Sequence, residues 1–348
     1  MAKEVHYSDY LQLDKILNAQ QLESDLENCH AHDEMLFIII HQAYELWFKQ
    51  ILFEIDSIAS IMGKPAINDN SPDLQMVVHR LNRIVTILKV AVHQIDIMET
   101  MTSMDFLDFR NLLRPASGFQ SWQFKLTEAK LGLRYTERHG QEYYISQLRS
   151  EHIELIKKTE EQPSLLDLLD AWLKRMPFFK NPKYWEDYKA VHPAMEGRHP
   201  FWSDYTQIYD HSLQDNERYN LRAFEQVFFS NEEAGRRLSP EACQAALFII
   251  LYRGYPLLHL PFQLLNALLE IDEQLSTWRY RHMNMVHRMI GMRTGTGGSS
   301  GKAYLKGALD KHYIFRELAA LTSFLIERRS LPKLPSSLEK RLGFAAVE

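Results

Sequence analysis

Cysteine is almost absent from this sequence. The 348 residues include 2 cysteines, Cys29 and Cys243, which is too few for a disulfide framework or a thiolate metal cage. A chain of this length buries a sizeable core without such cross-links, and no flexible linker divides it. We therefore expect a single domain over residues 1–348, located in the reducing cytoplasm.

Long blocks of one charge and long apolar runs are missing too. Lys and Arg total 40 and Asp and Glu total 45, a formal net charge of −5, and neither sign clusters as on surfaces that bind nucleic acid or anionic lipid. The apolar runs at 35–40 and 245–251 are far too short to span a bilayer, and the N-terminus has no apolar signal-peptide core. We expect neither nucleic acid nor a membrane as a partner.

Alternating strand patterns bounded by turns are hard to find, whereas helical spacing of apolar residues recurs. This spacing predicts helices at 34–57, 74–98, 239–254, 262–291 and 314–327. Several segments are apolar on more than one face, as helices inside a large bundle are. The prediction is an all-α bundle, with Asp33 as the N-cap of its first long helix and residues 135–240 as a helical elaboration.

The loop GTGGSSGKAYL at 295–305 suggests phosphate binding, but its details disagree. A Walker A loop needs G-x-x-x-x-G-K-[ST] after a strand. Aligned on Gly301, the first glycine position holds Thr296 and the Ser/Thr position holds Ala303. The dinucleotide motif fails at Ser300, and the preceding segment is predicted to be helical. Composition alone leaves two interpretations, a flexible surface connection or a loop that binds a small anion or ammonium.

Two histidines lie on largely apolar helical faces. His282 shares a face with Trp278 and Val286, and His41 shares one with Phe37, each at a spacing of four residues. A neutral imidazole beside a large apolar slot is what a non-covalent haem requires. The alternative for both is a core histidine satisfied by a backbone carbonyl, which is the commoner case for an isolated buried histidine.

Other modes of metal binding have little support. Leu26 occupies the position at which a covalent haem motif ending at Cys29 and His30 needs another cysteine. His41 and Glu45 have the spacing of a metal-binding pair, but neither Cys-rich nor Glu-x-x-His partners accompany them. We therefore expect any haem to be held without a covalent link.

Arg110, in a short predicted helix, is a candidate for carboxylate binding. The sequence predicts that this helix ends near Pro115 and places Phe106 and Arg110 one turn apart. A planar guanidinium binds a carboxylate through two parallel hydrogen bonds, a role that lysine fills poorly. Taken alone, however, Arg110 is more simply interpreted as a structural or surface arginine.

Three stretches that contain these residues resemble the tryptophan 2,3-dioxygenase family. They are HDEMLFIIIHQAYELWFKQILFEIDSI (32–58), FRNLLRPASGFQSWQFKLTEAKLG (109–132) and WRYRHMNMVHRMIGMRTGTGGSSGKAYL (278–305), and the resemblance extends from residue 7 to about residue 327. It implies an all-helical cytoplasmic homotetramer with a b-type haem, ferrous for activity. Such enzymes open the indole ring of L-tryptophan with O₂ to give N-formyl-L-kynurenine, the first step of the kynurenine pathway.

The resemblance also implies roles for single residues. His282 matches the axial ligand of the haem iron, and His41 matches the residue that accepts the indole N–H. Arg110 matches the residue that binds the substrate carboxylate. The remaining matches on the haem side are Trp278, Ser117 and Gly118. The remaining matches on the substrate side are Phe37, Phe106 (Tyr in some relatives), Leu113 and Thr296, with Tyr7, Tyr10 and Leu11 on an N-terminal arm (1–20) that closes a neighbouring subunit's pocket.

The chemistry leaves alternatives open. His41 either positions the indole or removes its proton, and positioning is favoured because an unactivated indole N–H is far too weak an acid for easy removal. Two other functions compete with the dioxygenase prediction. One is a related haem-dependent oxygenase that acts on a modified indole, and the other is a non-catalytic helical scaffold whose histidines are core residues. Counting the oxygen atoms that enter the product distinguishes such an oxygenase from a dioxygenase. A Soret band in the purified protein would exclude the scaffold, which binds no haem.

Overall fold

A computed structural model of the chain describes residues 4–65, 72–139, 146–230, 235–291, 293, 306, 307, 309 and 311–343. These residues form α-helices and short 3₁₀ segments, with no β-strand among them, which confirms the predicted all-α class. In chain order the α-helices are α1 (Tyr7–Leu11), α2 (Leu13–Leu17), α3 (Glu23–Leu26), α4 (Asp33–Met62), α5 (Pro72–Met98), α6 (Ser103–Arg110), α7 (Trp122–Leu131), α8 (Ser150–Glu160), α9 (Leu165–Lys174), α10 (Pro200–Ser212), α11 (Tyr219–Phe229), α12 (Pro240–Leu251), α13 (Pro256–Ile290), α14 (Arg316–Ala320) and α15 (Ser336–Leu342).

The three long helices α4, α5 and α13 form the centre of the bundle. Helix α4 packs against α5 and α7, and α5 packs against α13. Each helix buries apolar residues at helical spacing; those of α4 include Ile40, Tyr44, Phe48, Ile51, Ile55 and Ile58, and those of α5 include Val77, Leu81, Ile84, Leu88, Ala91 and Ile95. The apolar periodicity of the sequence therefore marks the faces that these helices bury.

The predicted helix bounds agree with the observed ones best for α4 and α5 and less well for the other helices. Asp33 is the first residue of α4 and not its N-cap, which is His32, so the prediction for Asp33 was wrong. A carboxylate in the first turn still favours the helix electrostatically. Helix α13 begins at Pro256, earlier than predicted, because proline suits the first helical position. Residues 314–327 contain the single α-helical turn α14, followed by a 3₁₀ segment.

The 135–240 region contains α8 to α11 in its described part. Aromatic side chains join it to α12: the ring of Phe248 lies 4.7 Å from that of Phe178 and 5.8 Å from that of Phe201, measured between centroids. Trp185 and Trp202 extend this aromatic cluster through their contacts with Phe201. That the region elaborates a single domain stays a prediction.

None of the helices in the described ranges is, by itself, both long enough and apolar enough to cross a bilayer. Helices α12 and α13 meet the criterion only when taken together, and they are bent by 114° relative to each other.

Candidate functional site

Helices α4, α6 and α13 bring the residues of three separate sequence segments into one group of ring contacts. On one side, Phe37 of α4 lies 5.7 Å from Phe106 of α6. On the other side, Tyr44 of α4 lies 5.9 Å from Trp278 of α13. The ring of His41 joins the two sides, 4.1 Å from Phe37 and 6.4 Å from Tyr44. The structure thus brings both predicted histidines and their aromatic neighbours together.

The protonation state of His41 follows from its hydrogen bond. Its Nδ1 lies 2.7 Å from the carbonyl oxygen of Phe37, and because a carbonyl only accepts, Nδ1 carries the proton. Burial lowers the pKa of His41 below its usual value, and this outweighs the opposite effects of that bond and of Glu45. The neutral ring therefore presents Nε2 as a hydrogen-bond acceptor.

His282 stacks on Trp278 one helical turn before it. Their rings are 5.2 Å apart between centroids and 6° from parallel. Burial, with a smaller contribution from nearby His41, lowers the pKa of His282 to about 4, so the imidazole is neutral at pH 7. Its Nδ1 is buried and has no hydrogen-bond partner within the described part of the chain, unlike the carbonyl-satisfied histidine expected of a core.

These properties fit an axial haem ligand. Ligation requires a neutral imidazole, and a buried ring nitrogen without a partner is unusual in a folded protein unless a ligand or water completes it. The surroundings are aromatic, since Trp278 also lies 5.1 Å from Phe124 of α7 and 6.5 Å from Phe48 of α4. The arrangement suits a large flat apolar group better than a bare metal ion.

A multi-ligand metal site has no support. The described ranges contain no group of three or more His, Cys, Asp and Glu side chains that could hold a metal ion. Glu45, the other half of the His41 pair considered from sequence, accepts a hydrogen bond of 2.8 Å from Gln123 Nε2 instead. This bond and a second one from the same nitrogen to the Glu45 carbonyl, at 3.0 Å, fix α7 to α4.

Arg110 ends α6 and is 3% exposed. Burial lowers the pKa of its guanidinium, and the positive charges of Arg114 and Arg293 lower it further, so like charges converge here. Such a concentration of positive charge favours an anion. Helix α6 is held in place by a capping box at Thr102 and by a 3.1 Å hydrogen bond from Ser103 Oγ to the Arg288 carbonyl of α13.

The segment after α6 contains three further predicted residues. Leu113 packs partly buried against the core. Ser117 caps the 3₁₀ segment Gly118–Gln120, and its Oγ accepts a 3.4 Å bond from the Phe119 amide. A Cβ atom added to Gly118 would meet no atom within 4 Å, so open space lies beside this glycine. The structure gives no contact between this segment and His282.

The remaining predicted residues are not part of the ring cluster. Tyr7 and Tyr10 are 72% and 75% exposed, and Leu11 is half-buried. Their arm is attached to α4 of its own chain, because Gln42 accepts a 2.7 Å bond from Gln20 and donates one of 3.1 Å to the Ala19 carbonyl. Thr296, with the glycine-rich loop, lies outside the described residues.

Sequence reasoning missed the rings that connect the two histidines. Tyr44 lies between His41 and Trp278, and its hydroxyl donates to the Ala91 carbonyl at 3.1 Å. Burial raises the pKa of this phenol to about 12, so it stays neutral. Helical periodicity contained the signal, since Tyr44 follows His41 by three residues on one face of α4. Phe124 on α7 had no comparable signal.

Comparison with known proteins places this arrangement in a family context. A family model described as tryptophan 2,3-dioxygenase matches residues 1–325. The chain is 44% identical to the tryptophan 2,3-dioxygenase of Bdellovibrio bacteriovorus, with 98% of each chain covered. It is 45% identical to that of Dictyostelium discoideum, covering 99% of this chain and 89% of the relative. With that of Rattus norvegicus it shares 40% identity, covering 97% and 86%.

Proposed function

Because this chain belongs to the tryptophan 2,3-dioxygenase family, we propose that it cleaves the indole C2–C3 bond of L-tryptophan with O₂. The product is N-formyl-L-kynurenine, and both oxygen atoms of O₂ enter it. The observation that carries the proposal beyond family membership is the pairing of His41 and His282, both neutral, across one aromatic cluster. This reaction opens the kynurenine route of tryptophan degradation.

The cofactor of this proposal is a b-type haem, ferrous for activity, whose iron His282 would bind. The neutral imidazole, its partnerless buried Nδ1 and the ring of Trp278 support this assignment. The family resemblance adds Ser117 and Gly118 as residues that would contact the haem. When bound, the haem supplies the activation of O₂, while the protein supplies binding, orientation and exclusion of water.

Arg110 and His41 orient the substrate. The buried guanidinium, reinforced by Arg114 and Arg293, binds the tryptophan carboxylate, and His41 Nε2 accepts the indole N–H. Holding both ends of the substrate fixes the indole for reaction. The lowered pKa of His41 makes it a weak base, so its part is positioning and not proton removal.

Apolar side chains complete the pocket. Phe37 and Phe106 flank the indole, and Phe109, 5.4 Å from Phe106 and 5.6 Å from Phe37, backs them. The family resemblance adds Leu113 as a further wall and gives Thr296, outside the described residues, the role of binding the charged end of the amino acid. Large aromatic rings of this kind contribute much of the binding free energy of a flat ligand.

The protein is a cytoplasmic homotetramer in this proposal. Tyr7, Tyr10 and Leu11 of each arm contact the tryptophan pocket of a neighbouring subunit. The exposure of the two tyrosines in the single chain supports a partner for them, because exposed aromatic side chains grouped on one short segment are typical of interaction sites. Light scattering coupled to size-exclusion chromatography measures the oligomeric state.

Turnover under isotopically labelled oxygen tests the proposed reaction. The haem-loaded ferrous protein is mixed with L-tryptophan under ¹⁸O₂, and the product is analysed by mass spectrometry. We expect N-formylkynurenine carrying two ¹⁸O atoms. A product with one ¹⁸O atom would identify a monooxygenase instead, and unchanged tryptophan in the presence of fully ferrous haem would refute the proposal.

A further inference from the structure

A cluster of buried charges lies next to the candidate site, and the proposed function does not use it. Its members are Glu128 of α7, Arg138, Arg279 of α13 and His312, which are 3%, 3%, 4% and 5% exposed. Removing charges from water is costly unless they are closely paired. A cluster this deeply buried is therefore stabilised by its internal bonds. One of its members, Arg279, lies on α13 three residues before His282.

Glu128 is the centre of the cluster. Its Oε1 accepts a 2.5 Å hydrogen bond from Arg279 Nη2 and its Oε2 one of 2.5 Å from Arg138 Nη1. His312 Nδ1 lies 3.4 Å from Oε1. Burial alone would raise the pKa of this carboxyl, but the positive charges of Arg138 and Arg279 and the hydrogen bond from His312 bring it well below its usual value. Glu128 is therefore an anion that joins α7 to Arg279 of α13 and to Arg138.

His312 connects the cluster to the backbone of two segments. Its Nε2 accepts a 3.0 Å hydrogen bond from the His139 amide, so the ring proton is on Nδ1 and points to Glu128. The His312 carbonyl accepts from Arg279 Nη1 at 3.3 Å. Arg279 is thus held at two points, by the carboxylate of α7 and by the backbone near residue 312.

The bonds to Arg279 act at the helical turn that presents His282. Arg279 directly follows Trp278 and precedes His282 by three residues. On α7, Phe124 and Glu128 are four residues apart and face the same way. Phe124 contacts Trp278 at 5.1 Å, and Glu128 holds Arg279 at 2.5 Å. Two adjacent contacts, one aromatic and one ionic, therefore join α7 to this turn.

The two contacts have different physical effects. An aromatic contact accepts several arrangements, offset-stacked as well as edge-to-face, over a range of ring distances. A buried hydrogen-bonded ion pair tolerates much less displacement, because misalignment exposes each charge to an apolar surrounding. Of these two contacts, the ionic one therefore resists more strongly a local rotation of α13 that would change the orientation of the His282 ring.

We propose that Glu128 is a positioning residue for the haem ligand: through Arg279 it fixes the rotation of α13, so that the His282 ring keeps one orientation against Trp278. This inference rests on the proposed function, because it takes His282 as the axial ligand. Residues that orient a metal-ligating histidine commonly control how tightly the metal group is held.

A second set of hydrogen bonds holds α13 at positions further from His282. Asp272 of α13 accepts hydrogen bonds from the amides of Ile314, at 3.1 Å, and Phe315, at 2.6 Å, and Ser276 Oγ lies 2.8 Å from Tyr313 Oη. These contacts hold α13 where residues 312–315 pack on it. They act one to two turns before Arg279. Nearer to His282, Arg281 donates to Asp96 at 2.6 Å and to Glu99 at 3.1 Å on α5, but these side chains are partly exposed, so Glu128 provides the buried ionic contact at this turn.

The test measures how fast haem leaves the protein. Wild type, Glu128→Gln and Asp204→Asn are loaded with ferric haem, and the Soret change on transfer to excess apomyoglobin gives the rate. Asp204 is a matched control, because it is 0% exposed and bonded to Tyr188, Val191 and His192, none of which belongs to the site. We expect Glu128→Gln to lose haem at least about 10-fold faster, whereas Asp204→Asn loses it within about 2-fold of wild type.

A spectroscopic reading separates positioning from general destabilisation. In resonance Raman spectra of the ferrous protein, the iron–histidine stretching band should broaden or shift in Glu128→Gln and stay unchanged in Asp204→Asn. Unaltered haem loss and an unaltered band in Glu128→Gln would overturn the inference. If that variant does not fold, Arg279→Lys replaces it, since lysine keeps the charge but does not reach both acceptors, and normal haem retention there would overturn the inference equally.

His282→Ala distinguishes failure of this inference from failure of the proposed function. If His282→Ala lacks the iron–histidine band and Glu128→Gln behaves as wild type, the ligand assignment stands and only the positioning role is wrong. If His282→Ala keeps a wild-type band, His282 is not the ligand, and both the assignment and the inference that rests on it are refuted.

Discussion

The imidazole of His282 lies parallel to the indole of Trp278, with 6° between the planes and 5.2 Å between the centroids. Trp278 in turn contacts Tyr44 and Phe124, at 5.9 Å and 5.1 Å. One tryptophan thus links the proposed haem ligand to both α4 and α7.

Trp278→Ala should destabilise the protein and weaken haem binding. Removing a fully buried tryptophan ring typically costs about 3–5 kcal/mol; Trp278 is half-buried, so the cost should be smaller, and the substitution also frees the His282 ring. Trp122 is the matched control, since it stacks on His152 at 5.2 Å outside the ring cluster. Urea unfolding and haem titration of both variants check this. Equal haem affinity in Trp278→Ala and Trp122→Ala would show that the stack with His282 is unimportant for haem.

His41→Ala should keep measurable activity. The variant loses one hydrogen bond to the indole, worth about 0.5–1.5 kcal/mol, so KM should rise about 2- to 10-fold while turnover continues. His93→Ala is the control, because His93 makes the same type of bond, 2.8 Å to the Lys89 carbonyl, on an exposed part of α5. Complete loss of turnover with normal tryptophan binding would mean that His41 is an obligatory base.

Arg110→Lys should weaken the binding of L-tryptophan about 10- to 100-fold, since a charged two-bond contact is replaced by a weaker one. Tryptamine lacks the carboxylate, so its binding should be almost the same in wild type and variant. Arg114→Lys, an exposed neighbour in the same cationic group, is expected to have a small effect on both. Calorimetry measures these affinities, and equal losses for tryptophan and tryptamine would exclude carboxylate recognition by Arg110.

Acid should destabilise the protein partly through His199, whose ring contacts are with Phe179 and Trp185 of the 135–240 region. Its Nδ1 accepts a 3.2 Å bond from the Phe201 amide at the start of α10, and burial lowers its pKa from 6.5 to about 4. The unfolded chain therefore binds a proton first. Stability is lost as the pH falls from 6.5 towards 4, by about 3 kcal/mol at most.

His199→Asn checks the sign of this pH effect. Asparagine still caps a helix but does not titrate, so the unfolding free energy of the variant should fall less steeply than that of wild type between pH 6.5 and 4. His211→Asn, at an exposed position near the end of α10, should keep the wild-type slope. Identical slopes for His199→Asn and wild type would show that His199 does not contribute.

The helices were predictable from the sequence because apolar residues recur with the helical period, most clearly in α4 and α5. The short α14 and the early start of α13 were not, since local turns and proline chemistry override periodicity there. The ring cluster was half predictable: Phe37, His41 and Tyr44 share one face of α4, but their approach to Trp278 depends on how α4, α7 and α13 pack.

The Glu128–Arg279 pair could not be predicted at all. The two residues are 151 positions apart, and each looks like an ordinary exposed charge on a helix. Burial of such charges is decided by tertiary packing, for which a single sequence contains no local signal. Family resemblance supplied the roles of Arg110, Thr296 and the N-terminal arm, and for these the residue pattern alone left structural explanations open.

The optical spectrum of the reduced protein tests the central claim most directly. Ferrous haem-loaded wild type and His282→Ala are recorded without oxygen, L-tryptophan is added, and air is then admitted. We predict that wild type shows a Soret band that responds to tryptophan, followed on aeration by the near-ultraviolet absorbance of N-formylkynurenine, and that His282→Ala shows neither the response nor the product. Product formation by His282→Ala at the wild-type rate, or none by wild type, would contradict the account.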